Sequence, residues 1–167
     1  CDAHGGARKM TNNTIQKPAD TPLGDTTRIS ADWQKLDREN PRLVGIGART
    51  TDESIIAQLF RGDELGELLQ SISANGYLDI EPLIVCLDPA DQKFTVLEGN
   101  RRLAAIRLFR EPTLADAIFR YERLKISVPE IDEKIKSSLK EVSVYRVQGR
   151  EDARSFIGFK HINGAAK

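Results

Sequence analysis

Histidine, cysteine and tryptophan are nearly missing from this chain: two histidines, two cysteines and one tryptophan in 167 residues. His4 and His161 stand at opposite ends, and no Cys/His spacing matches a zinc site. Cys1 is terminal and Cys86 sits inside an apolar run, so a disulfide framework is not expected and a reducing compartment fits. Net charge is lacking too. Twenty-five basic residues balance twenty-five acidic ones, so the chain is no general electrostatic sponge for nucleic acid, and any phosphate affinity must be local. No apolar run approaches membrane-span length and no signal-peptide core follows the N-terminus, so no membrane partner and a cytoplasmic location are the default expectation. What is present is 40% hydrophobic residues, enough for a core.

The first 27 residues carry Gly, Ala, Thr, Asn, Asp and Pro with almost no apolar periodicity, which predicts a disordered arm, with Trp33 and Leu36 as its anchors on the domain. Met10 is a candidate start, and the end at Lys167, soon after a helical pattern, reads as a break within a longer protein. Asn40-Pro41 predicts a turn or extended entry, with Arg42 just beyond it. Thr50, Thr51 and Asp52 offer caps to a helix over 54–60, and Gly62-Asp63 recaps the chain for the next. Leu65, Leu68, Leu69 and Ile72 then fall on one helix face, read as core, and Asn75-Gly76 ends the run.

A strand from Pro82 to Leu87 holds Cys86 as a packed thiol; Asp88 to Asp91 form a turn, and Lys93 to Leu97 return. Beyond Glu98-Gly99-Asn100-Arg101-Arg102, Leu103, Ala105, Ile106 and Phe109 mark the inner face of a helix. A further helix is expected over 114–124 with Ala115, Ile118, Phe119 and Tyr121 packing, a short strand over 125–129, and a charged helix over 130–139. A strand over 141–147 and a helix over 150–162, with Ala153, Phe156, Ile157 and His161 inward, complete the pattern. The fold class is α+β: a small mixed sheet of about four short strands packed with helices.

The stretch with chemical content is the corner at 98–102. A strand that turns sharply into a helix leaves backbone N–H groups unpaired at the helix start, where the dipole is positive. Arg101 and Arg102 add guanidinium forks suited to phosphate oxygens. The simpler alternative is an ordinary strand–helix corner with solvated arginines.

The order of features resembles the N-terminal domain of the ParB/sulfiredoxin superfamily, the ParB-like nuclease domain. The resemblance rests on Asn40-Pro41-Arg42, on Leu68-Leu69-x-Ser71-Ile72 running to Gly76, on Pro82-Leu83-Ile84-Val85, and on Gly99-Asn100-Arg101-Arg102. It covers about residues 40–162 and implies three parts: an arm over 1–27, a nucleotide-binding domain over 28–162, and at 163–167 the start of a helix-turn-helix-like region. The family implies CTP or ATP with Mg2+ as the bound nucleotide. Gly99, Asn100, Arg101 and Arg102 would seat the phosphates, with Arg42 and Arg150 as outer contacts. It further implies a DNA-associated protein of a bacterium, phage or plasmid, in partition, regulation or defence, reaching DNA through the missing C-terminal region, with a homodimer as a possible assembly.

Two departures narrow the chemistry. Asn100 and Arg101 stand where the sulfiredoxin branch has its cysteine and histidine, which argues against sulfinic-acid reduction. Arg146-Val147-Gln148-Gly149-Arg150 replaces the Glu-Asn-x-Gln-Arg run of ParB, and only Arg150 corresponds. Glu98 matches the acid of a branch with kinase and nuclease-like members. Its catalytic role there, with Mg2+, stands against simple pairing with Arg101 or Arg102. An interaction module without nucleotide binding is the remaining alternative.

Overall fold

In the computed structural model, residues 16–40 and 50–155 are described. Readings that concern Arg42, His4, Phe156, Ile157, His161 and the segment 163–167 lie outside them.

Five strands form one mixed sheet: β1 (Thr26–Ser30), β2 (Gln34–Lys35), β3 (Leu83–Asp88), β4 (Lys93–Glu98) and β5 (Glu141–Arg146), in the order β1-β5-β3-β4-β2. The β3–β4 and β1–β5 pairs are antiparallel, while β3–β5 and β4–β2 are parallel. The α+β class is as expected, with one more strand than the sequence reading. Two strands are gained and one is lost, and the first gain is β2, where Gln34 and Lys35 pair with Phe94 and Thr95. Thr26 and Thr27, assigned to the arm, pair with Tyr145 and Val144 along the sheet edge. The stretch 125–129 forms no strand; Leu124, Ile126 and Val128 do alternate inward onto the core, but the stretch pairs with none of the five strands. The arm reading also fails from Gln16 onward, where a short 3-10 turn at Pro18–Asp20 precedes β1. Arg146 holds this turn from β5 by donating to the Thr21 carbonyl at 2.7 Å.

One face of the sheet carries the main core. The helices α1 (Asp52–Arg61), α2 (Glu64–Asn75), α3 (Asn100–Arg110) and α4 (Leu114–Glu122) close over Val85, Phe94, Val96, Val142 and Val144. A short α5 (Glu133–Ser138) leads into β5. Local chemistry sets the helix starts: Thr51 and Ser54 form a reciprocal capping box on α1, and Asp132 caps α5 by accepting from the Ile135 N–H. Gly76, at φ 84°, ends α2 as expected. The opposite face of the sheet carries a smaller cluster, Ile84, Leu97, Val147 and Ala153, the last on a helix (α6) described over 150–155. Two expected packing residues of α4 are not core: Phe119 and Tyr121 are 52% and 67% exposed. The helix already fills its inner stripe with Leu114 and Ile118.

Candidate phosphate-binding corner

Strand β4 runs buried from Phe94 to Leu97, reaches Glu98, and turns at Gly99 into α3. Gly99 makes the corner possible. Its φ of 105° is one that L side chains rarely adopt, and a Cβ there would collide with the Leu83 side chain and stand 3.0 Å from an Arg102 guanidinium nitrogen. No side chain caps α3, so its first N–H groups keep their free hydrogen-bonding capacity at the positive end of the dipole.

These groups border an open cavity of about 910 Å³. Its corner wall is Glu98, Gly99, Asn100, Arg101 and Arg102; its opposite wall comes from α2, with Glu64, Glu67, Leu68 and Ser71. Leu68, read from the sequence as core only, thus contributes to the cavity as well as packing against the core. The size is within the usual range for small-molecule sites.

The five corner residues play different parts. Arg101 crosses the cavity to Glu64, Nη2 to Oε2 at 2.5 Å, with both side chains about half exposed or more. Arg102 donates to the Glu81 carbonyl, which leaves its other guanidinium N–H groups to serve a ligand. Tyr77 lies beside Arg102; burial holds its phenol above the ordinary value, against the pull of that guanidinium, and its hydroxyl has no hydrogen bond of good geometry. Glu98 forms no ion pair with Arg101 or Arg102, nor any other among the described residues, so the pairing alternative raised for it does not occur there.

Asn100 works inward. Only 6% exposed, its side chain accepts from the Asp37 N–H at 3.0 Å and donates to the Val96 carbonyl at 2.8 Å. What it presents to the cavity is backbone. Asp37 in turn grips Arg150: Nη1 to Oδ2 at 2.7 Å and Nη2 to Oδ1 at 2.6 Å, with a third contact from Nη2 to Glu39 at 3.0 Å. Hydrogen bonding by Asp37 raises the Arg150 pKa above its ordinary value, outweighing desolvation. Arg150 therefore does not line the cavity; among the described residues it is joined to the corner through Asp37 and Asn100. The sequence reading missed Asp37 altogether. Its signal was slight, one acid in a mixed stretch, and its partner lies 113 positions away.

Among the described residues, no group of three or more His, Cys, Asp or Glu side chains is arranged to hold a metal ion. Mg2+ that arrives with a nucleotide needs less, one or two carboxylates beside phosphate oxygens and waters. Glu98, with no ion pair among the described residues, suits that donor set. No helix among the described residues is long and apolar enough to cross a membrane.

No family model matches the sequence, and no curated protein matches it. Among solved structures the chain is similar to that of the C-terminally truncated chromosome-partitioning protein ParB from Caulobacter crescentus, complexed with CTP-gamma-S. The identity is 16% and the TM-score 0.44, over 86% of this chain and 54% of that one. The chain spans about half the length of that neighbour.

Proposed function

We propose that this domain binds a nucleoside triphosphate, CTP or ATP, with its phosphates on the Gly99–Arg102 corner, and that Glu98 is the carboxylate that would hold an accompanying Mg2+. The single observation behind this reading is the convergence on one cavity of an uncapped helix start, two arginines and a carboxylate with no ion pair among the described residues. In chemical terms the backbone N–H groups of α3 and the spare N–H groups of Arg102 would bind phosphate oxygens directly. Arg101 would exchange Glu64 for phosphate. That exchange costs little, because exposed ion pairs contribute only about 0–1 kcal/mol. Arg150 acts at one remove, positioning the corner through Asp37 and Asn100. Arg42 keeps the part given it by the motif resemblance, an outer contact to the nucleotide. The same resemblance supplies the wider role, a DNA-associated protein in partition, regulation or defence whose DNA contacts belong to a region beyond this domain.

Titration calorimetry with CTP, ATP and GTP, with and without Mg2+, tests the reading. Saturable binding lost in Arg101→Ala/Arg102→Ala supports it; binding that survives the double substitution contradicts the assigned site. A second reading, a Mg-dependent phosphotransferase or nuclease-like enzyme, is favoured by Glu98 pairing with neither Arg101 nor Arg102. A carboxylate beside bound phosphate can accept a proton from an attacking hydroxyl. Phosphate or diphosphate release abolished by Glu98→Gln, with binding retained, would distinguish the enzyme from the binding module.

A further inference from the structure

We propose that a groove on the outer side of α4 docks an acidic peptide through an apolar anchor residue. The groove has a volume of about 600 Å³ and is separate from the phosphate corner, sharing no residue with it. Its apolar surface is Ala115, Phe119 and Ile126, and its rim carries Arg120, Arg123 and Lys125. Ala115, Phe119 and Arg123 are four residues apart and so stack along one side of the helix.

Two features of this place together suit a docked ligand. Phe119 is half exposed although the inner stripe of α4 is already buried, so its ring contributes to the groove rather than to the main core. The rim cations are also uncommitted. Arg120, Arg123 and Lys125 hold no carboxylate among the described residues, as is also true of Arg61, Arg154 and Lys93, and here such cations surround an exposed phenyl ring. Cations near a helix C-terminus are favoured by the dipole alone, but the dipole does not call for an exposed phenyl ring among them. Arg123 is further fixed by its backbone: it caps α4 in the left-handed region at φ 55°, its N–H bonded to the Phe119 carbonyl at 3.0 Å. Three cations around an apolar hollow complement an apolar side chain flanked by carboxylates, which arginine binds in a fork.

The chemistry favours a peptide over a nucleic acid strand. Asp116 shares the groove and would repel a continuous phosphate backbone, and a single ring beside aliphatic side chains makes no ladder for successive bases. An acidic peptide can place its charges to avoid Asp116.

The test uses the full chain and fluorescein-labelled peptides of about a dozen residues, with Leu or Phe at the centre and Asp/Glu flanks, followed by anisotropy at about 0.1 M salt. Amide shifts in a 15N-labelled sample locate the site. The proposal expects saturable binding, shifts centred on Ala115, Phe119 and Ile126, and at least a tenfold loss in both Phe119→Ser and Arg120→Glu/Arg123→Glu. A peptide with Gly for the anchor, and one with Lys for the acids, should each bind at least tenfold more weakly. Since the substituted side chains are exposed, unchanged thermal melting of the variants separates lost docking from lost fold. Shifts centred elsewhere, equal binding of the Lys peptide, no binding, or an oligo-dT strand binding this groove more tightly than the acidic peptide would each overturn the proposal.

Discussion

Gly99 carries the steepest local constraint in the corner. Any side chain there meets both an unfavourable backbone region and Leu83. Gly99→Ala is expected to destabilise the domain by about 2–4 kcal/mol, the sum of a left-handed penalty and a clash that must be relieved, read as a lower urea midpoint. Glu64 offers the opposite experiment. It competes for Arg101 in the empty cavity, so Glu64→Gln should tighten nucleotide binding about two- to fivefold, the worth of one exposed ion pair. Weaker binding in Glu64→Gln would show that Glu64 assists the ligand. The glycine and both arginines could be read from the sequence because strand, turn and helix are contiguous there. The inward role of Asn100 could not. It depends on the Asp37 N–H, 63 positions away, and nothing in a single chain marks which polar side chain will be buried.

Between elements, buried charge is held by a few long-range pairs. The Asp37–Arg150 fork joins the segment after β2 to α6, and its carboxylate side chain is only 2% exposed. Arg150→Ala leaves that carboxylate buried without its partner and is expected to cost about 2–4 kcal/mol, less than a fully buried pair because Arg150 itself is partly exposed. Urea unfolding of parent and variant checks this as a lower midpoint. Asp52 makes a comparable junction, caught between Arg107 of α3 at 2.7 Å and Arg38 at 3.1 Å. Burial pushes the Asp52 carboxyl up, but the hydrogen bonds from Arg107 and Arg38 outweigh it, and the net shift is downward. A carboxylate with a lowered folded pKa contributes stability above its unfolded value, about 3.9, and loses it as pH falls through the lower folded value. Asp52→Asn should therefore destabilise the domain at pH 7 by about 1–3 kcal/mol, and the gap to the parent should shrink in melts taken below about pH 4. The helices were legible from apolar spacing and caps, as Thr51 and Gly76 show. The edge strand β1 was not. Its residues Thr26-Thr27-Arg28-Ile29-Ser30 bury one large apolar side chain, so its pairing comes from β5 rather than from its own pattern.

For the whole molecule, the α+β layout puts the strand–helix corner at one end of a five-stranded sheet and leaves the α4 groove as a separate surface. The corner and its helix were visible as a motif because they are built from consecutive residues; the cavity was not, because its second wall is α2, brought across by the fold. The proposed function stands or falls on phosphate binding at this corner. The most direct measurement is calorimetric titration of the chain with CTP and ATP in the presence of Mg2+, run beside the Arg101→Ala/Arg102→Ala double variant. The account predicts saturable binding by at least one nucleotide, at micromolar to sub-millimolar concentration, and its loss in the double variant while thermal melting stays close to the parent's. No binding at millimolar nucleotide, or equal binding by parent and double variant, would contradict it.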